Sequence, residues 1–406
     1  MAQRHLHAPC LVRNYCTLVS SLFSLLLPAP LYFQLKHHPN TSITTLTAGT
    51  SMSFPSGPES SPAAESMPFD KIGAGSCGVV FRVGDSSKIV KVAKDTGSSA
   101  LRRDLRVHMA TYYQIRRYCV DDVEVPQPIA YFPLGCREHT IFNTWYPRFA
   151  AAMEREGFLS AAQFSVAEHI SPPPERFLEL LIKNLCPKKF QARARRSLLD
   201  RDCLVRVFLG KVAHRGEGGQ TFPLPDIALH LEELVEIGIS VEDVARGMGR
   251  TMAVMHWAVR HDGGGVKFVL GGKRVRQDVP GLDHYGSDAE DGTYIGPDVV
   301  PFEGVGVCYT HKTWLFLLDF DQAKPMSMDE AGVQQAVGAM EANASYFPRP
   351  GGRTEHQCRA WKAFAEAYMV ESAEVINKER LESDVSRLPR LFIRALVDMT
   401  EDEVSE

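Results

Sequence analysis

The chain has 406 residues, 44% hydrophobic and 23% charged, a composition that suits a globular protein with one large or two smaller folded units. Its formal charge of −4 excludes the basic balance of a nucleic-acid-binding protein, and the basic run 188–196 (KKFQARARR) reads as a solvated helix face. Nine cysteines lie far apart, which excludes a zinc knuckle or finger and fits reduced thiols better than a disulfide framework.

Residues 1–66 are expected to be a disordered or targeting extension. An apolar run at 17–33 follows Arg4 and Arg13, as in a presequence, or precedes a later start at Met52 or Met67. Pro28 and Pro30 interrupt it, so no stable membrane span is expected. Asn40 to Ser66 is rich in Ser, Thr, Pro and Gly and buries too little surface to order itself. Beyond it, Val79 to Val83 and Lys88 to Ala93 read as a hairpin around Gly84-Asp85-Ser86-Ser87. Ser98 or Ser99 caps a helix to about Tyr118, with Leu101, Leu105, Met109, Tyr112 and Ile115 on its apolar face. Ile129 to Phe132 and Gln163 to Ile170 are strand-like, and Pro172 to Pro174 form a stiff connector.

The pattern then turns helical. Pro174 to Asn184 is one helix. The best one starts at Ser240, where Ser240 and Asp243 suggest a capping box and Val241, Val244, Met248, Met252 and Met255 form a stripe. Residues 271–306 read as a Gly- and Asp-rich mobile insertion, followed by a buried strand, Thr313 to Asp321. Helices from Met328 to Met340 and from His356 to Ser372 close the domain, before an acidic, frayed tail at 396–406. The expectation is an α+β fold: a small β-rich N-lobe at 67–170 and a larger helical C-lobe at 171–395.

Chemistry concentrates at a few places. Gly73-Ala74-Gly75-Ser76-Cys77-Gly78 is followed by a strand, with Val80 two residues past the last glycine. A dinucleotide fingerprint would need a helix there, whereas a glycine hairpin lays backbone N–H groups over nucleotide phosphates with Val80 under the base. Lys91 or Lys94 on the next strand is the candidate phosphate lysine, and Asp104 in the following helix its partner acid. Glu168 falls where backbone groups would meet an adenine ring. Asp319 and Asp321 end an apolar strand as DFD, where bound Mg²⁺ would explain the acids. Asp262, among Gly263, Gly264 and Gly265, takes the place of a catalytic base on a loosely held loop. Lys267, five residues on, cannot ligate Mg²⁺ and can instead neutralise phosphate or Asp319. These features order as in a kinase-like two-lobed fold.

The segments 254–271 (VMHWAVRHDGGGVKFVLG), 317–325 (LLDFDQAKP) and 346–350 (YFPRP), with 90–95 and 125–132 upstream, resemble a fungal protein family of unknown function distantly related to kinases. The resemblance covers most of 69–376 and implies a kinase-like fold without an established substrate. Members are sometimes described as zinc-finger proteins, and their pattern carries an acid where this chain has Lys267. The expected cofactors are ATP and Mg²⁺, with a protein or small hydroxylated acceptor. Two functions follow: a nucleotide-binding protein with weak ATP-dependent phosphotransferase activity, or an inactive pseudokinase-like interaction scaffold. A zinc-dependent nucleic-acid binder is disfavoured. The expected location is intracellular, cytoplasmic or nuclear, with an N-terminal targeting sequence as an option.

Overall fold

A computed structural model describes residues 69–405 apart from 85, 96–98, 134–149, 158–162, 199–201, 211–226, 279–299 and 302–306. The expected extension at 1–66 lies outside the described residues. The protein is mixed α/β, with two sheets.

The first part of the chain builds β1 (Phe69–Ala74), β2 (Gly78–Val83) and β3 (Lys88–Ala93), then helix α1 (Ala100–Arg117). Short β4 (Val123–Glu124), β5 (Pro128–Phe132) and β6 (Phe164–Glu168) follow. Five of these strands pair antiparallel in the order β1-β2-β3-β6-β5. Alternation sends Val79, Phe81, Val90, Val92, Phe164 and Val166 to one buried face. Lys91, between Val90 and Val92, points to the other face, towards α1.

Helix α1 buries Leu101, Asp104, Leu105, Val107, Thr111 and Ile115, whereas Met109 is exposed. The expected single stripe is therefore too narrow. The helix touches the first sheet on one side and later helical elements on another, so Asp104 and Val107 are covered as well. Ser99 is the N-cap but makes no side-chain capping bond.

After Pro174 come α2 (Glu175–Leu185), α3 (Lys188–Leu198), β7 (Val205–Phe208), β8 (Ala228–His230), α4 (Leu231–Glu236) and α5 (Val241–Val254). Ser240 Oγ accepts the Asp243 N–H at 3.2 Å, and the stripe of Val241, Val244, Met248, Met252 and Met255 is buried throughout. A π-helical turn (Met255–Val259) leads on to β9 (Lys267–Asp278), β10 (Val300–Pro301) and β11 (Val307–Leu318). Helices α6 (Glu330–Ala342), α7 (Glu355–Lys378) and α8 (Leu388–Ser405) finish the chain, and α8 runs through most of the acidic end.

Two expectations need correction here. The second part is not simply helical: it carries a sheet of order β10-β11-β9-β7-β8, with β4 added parallel to β11 at Leu315 and Phe316. Residues 271–306 are also not all insertion. β9 and β11 pair continuously from Lys267↔Leu318 to Asp278↔Val307, so the first eight residues of that stretch are strand. Residues 279–299 and 302–306 lie outside the described residues.

The packing has two main centres. One is the inner face of the first sheet. The larger gathers the second sheet with α2, α5, α6, α7 and α8.

Candidate functional site

The glycine hairpin joins β1 to β2. Gly73 pairs with Val80 across it, and the Gly75 N–H donates to the Gly78 carbonyl at 2.9 Å. At Gly78 a Cβ would lie 2.7 Å from the Val92 carbonyl oxygen, so only glycine lets β2 start this close to β3. Val80 pairs in turn with Lys91. Lys94, the other candidate, donates to the Gly75 carbonyl at 2.6 Å and braces the hairpin from outside.

Lys91 reaches the charged cluster. Its Nζ donates to Asp104 Oδ2 at 2.8 Å and lies 3.5 Å from Asp319 Oδ1, with the side chain 14% exposed. Burial disfavours the ammonium, but the Asp104 and Asp319 carboxylates outweigh it and hold the Lys91 pKa above the usual lysine range. Asp104 does a second job: its Oδ1 accepts the Phe320 N–H at 2.9 Å. His108, one turn further along α1, stacks on the Phe320 ring at 5.2 Å.

Asp319 follows the last residue of β11 with φ 71°. The left-handed region costs a non-glycine residue about 1–2 kcal/mol, so tertiary contacts must impose it. The Asp319 carboxylate sits between two ammonium groups. Lys267 Nζ meets Asp319 Oδ2 at 2.5 Å, and Lys91 faces Oδ1. Burial opposes the Asp319 charge, yet Lys91 and Lys267 win and hold its pKa below the usual carboxylate range. Lys267 is there because the β9–β11 register sets it opposite Leu318. Asp321 turns elsewhere, accepting the Ser76 hydroxyl of the glycine hairpin. The two acids of DFD therefore do not face one ion, as their spacing suggested.

Asp262 is also placed differently from expectation. Its Oδ1 accepts the N–H groups of Gly264 at 3.0 Å and Lys324 at 2.9 Å. Its Oδ2 accepts Gln335 Nε2 at 2.8 Å, and the residue is 3% exposed. The three glycines do not leave this loop loose. The Asp262 N–H donates to the Lys324 carbonyl, the Met326 N–H to Arg260, and His261 forms a bridge with Pro325. A carboxylate with both oxygens committed to structural donors is an anchor for its own turn. Glu168 likewise accepts the Gln127 N–H at 3.0 Å and ties β6 to the segment before β5.

Lys91, Asp104, Asp319 and Lys267 are thus one chain of alternating charge, with Gly75 close by: a Cβ there would lie 3.9 Å from Asp319 Oδ1. Such a site suits an anion held by lysines and hairpin N–H groups. It does not suit Mg²⁺, because both Asp319 oxygens already carry an ammonium and Asp321 and Asp262 are engaged with other donors. Ser76, Cys77 and Gln335 were not foreseen. Cys77 is buried beside Lys91, and burial pushes its thiol up to about 11 despite the nearby ammonium, so it is no reactive thiolate.

The class defined so far is a mixed α/β protein with a lysine–carboxylate site under a glycine hairpin. Residues 314–380, from within β11 to just past the end of α7, match a domain family described as zinc finger protein. No curated protein and no solved structure matches the chain. Among the described residues no three His, Cys, Asp or Glu side chains gather as a metal ion requires. No helix among them is long and apolar enough to cross a membrane.

Proposed function

We propose that the chain has a kinase-like two-lobed fold whose cleft binds the phosphates of a nucleotide such as ATP without transferring them. The first sheet with α1 corresponds to the small lobe, and the second sheet with its helices to the large one. The observation that carries the reading is Lys91 held between Asp104 and Asp319 beneath the glycine hairpin. A lysine so fixed is what phosphate positioning needs. Transfer is taken to be absent because Asp262 is buried and held to its own turn by the Gly264 and Lys324 N–H groups and by Gln335, leaving only part of Oδ2 for an incoming hydroxyl.

A calorimetric titration with ATP, run with and without Mg²⁺, tests this. The wild type binds, Lys91→Met loses at least about tenfold in affinity while remaining folded, and neither hydrolyses ATP above the buffer rate. A flat wild-type titration in both buffers removes the nucleotide reading. ATP turnover that disappears in Asp262→Asn restores the phosphotransferase reading in its place.

A further inference from the structure

Nucleotide phosphates are usually accompanied by a divalent cation, and here two ammonium groups flank the Asp319 carboxylate that would hold one. Lys267 lies at 2.5 Å from Asp319 Oδ2 and Lys91 at 3.5 Å from Oδ1. A cation arriving there must either displace an ammonium or stand against two of them. Among the described residues no neighbouring acid completes a coordination shell. Asp321 accepts the Ser76 hydroxyl, and Asp262 is filled by two backbone N–H groups and Gln335.

Lys267 is also able to do what a cation would. It is the first residue of β9, and its pairing with Leu318 fixes its backbone one residue from Asp319. Its side chain is 40% exposed, against 14% for Lys91, so its ammonium can turn from Asp319 towards an anion entering from solvent. Lysine is a compact point charge on a flexible stem, suited to that exchange of partners. Lys91, clamped by Asp104, stays in place and supplies the fixed half of the pair.

We infer that the cleft takes the polyphosphate of a nucleotide as the metal-free anion, with Lys267 supplying the positive charge a divalent cation would otherwise bring. This rests on the nucleotide-binding reading above.

The test is ATP affinity in EDTA and in excess Mg²⁺ for the wild type, Lys267→Met and Lys267→Asn. The wild type binds at least as tightly in EDTA as in Mg²⁺. Lys267→Met loses about tenfold in EDTA, and Lys267→Asn, which trades the ammonium for a ligating oxygen, comes to prefer Mg²⁺. Wild-type binding that is about tenfold tighter in Mg²⁺ overturns the inference and leaves the nucleotide reading standing. Unaltered EDTA affinity in a folded Lys267→Met protein overturns it too. No ATP binding in either buffer removes the nucleotide reading, and this inference with it. If a variant does not fold, the wild-type comparison alone decides.

Discussion

Asp262 is held in its turn by three hydrogen bonds, two from backbone N–H groups and one from Gln335. Asn in its place keeps one oxygen for the Gly264 and Lys324 N–H groups but turns an NH₂ towards Gln335 Nε2. Gln335 cannot simply flip, because the same Nε2 donates to the Pro325 carbonyl at 2.9 Å. Losing charge-assisted bonds and leaving a donor facing a donor costs about 1.5–3 kcal/mol. Urea unfolding of Asp262→Asn should show a lower midpoint at an unchanged slope, and an unmoved midpoint would show that the loop does not depend on this carboxylate. At this scale the sequence was informative where charge sits among apolar neighbours. Lys91 inside KIVKVA and Asp319 after LFLL have no packing reason to be charged, which marks each as a site candidate, although an acid ending that strand suggests Mg²⁺ and not two lysines. Gln335 and Ser76 left no such mark, since a polar residue on a helix or in a turn is ordinary. The partners of Asp319 were only half readable: Lys267 was suspected from its place in the motif, and the β9 register that delivers it was not.

The π-helical turn after α5 carries a second consequence. His256 lies within it, fully buried, with Nδ1 3.0 Å from the Tyr368 hydroxyl and the Phe392 ring edge-on at 4.9 Å. Burial holds its pKa down to about 4, only partly offset by Asp262 nearby. An unfolded histidine takes its proton near pH 6.5, whereas the folded one resists until about 4. Between those values the unfolded state binds more protons, so stability is complete above about 6.5 and falls as the pH falls. The loss over that window is about 3 kcal/mol. His256→Gln, which cannot titrate, should lose less between pH 6.5 and 4, and the same acid slope in both proteins would exclude His256 as its source. Elements were unequally readable. α5 was plain, because its cap residue and its stripe agree. β9 was hidden by Gly271 and Gly272, which look like a loop opening. In the fold they are strand residues over which Ser171 and Pro172 pass: the Gly272 N–H donates to the Ser171 carbonyl at 2.8 Å, and a Cβ on Gly272 would sit 2.5 Å from the Pro172 carbonyl. Glycine there marks a close backbone approach, which a single sequence does not distinguish from a turn.

Across the whole molecule, the mixture of strands and helices was readable from the residue pattern. The second sheet was not, because short β4, β7, β8 and β10 join the long β9–β11 pair from distant parts of the chain, with Val123–Glu124 of β4 pairing Leu315–Phe316 of β11. Asp104 is a polar link between the first sheet and the segment after β11. One oxygen holds Lys91 of β3 at 2.8 Å and the other accepts the Phe320 N–H, just beyond β11, at 2.9 Å. The residue is only 6% exposed, so neither link is replaced by water when it is lost. Asp104→Ala removes both and leaves Lys91 with its longer contact to Asp319 alone, a loss of about 3–5 kcal/mol for breaking a buried pair. Asp104→Asn keeps an acceptor for the Phe320 N–H but loses the charge and turns an NH₂ towards the Lys91 ammonium. It should therefore be the milder variant by about 1–2 kcal/mol, the worth of that backbone bond plus the cost of burying its donor unpaired. Hydrogen exchange locates the effect: in Asp104→Ala, protection falls at Phe320 and along β2 and β3, while α5 and α7 keep theirs. Equal losses in the two variants would place all of the coupling in the Lys91 charge pair and none in the Phe320 amide. Unchanged protection in both would mean that the two cores hold together without this residue.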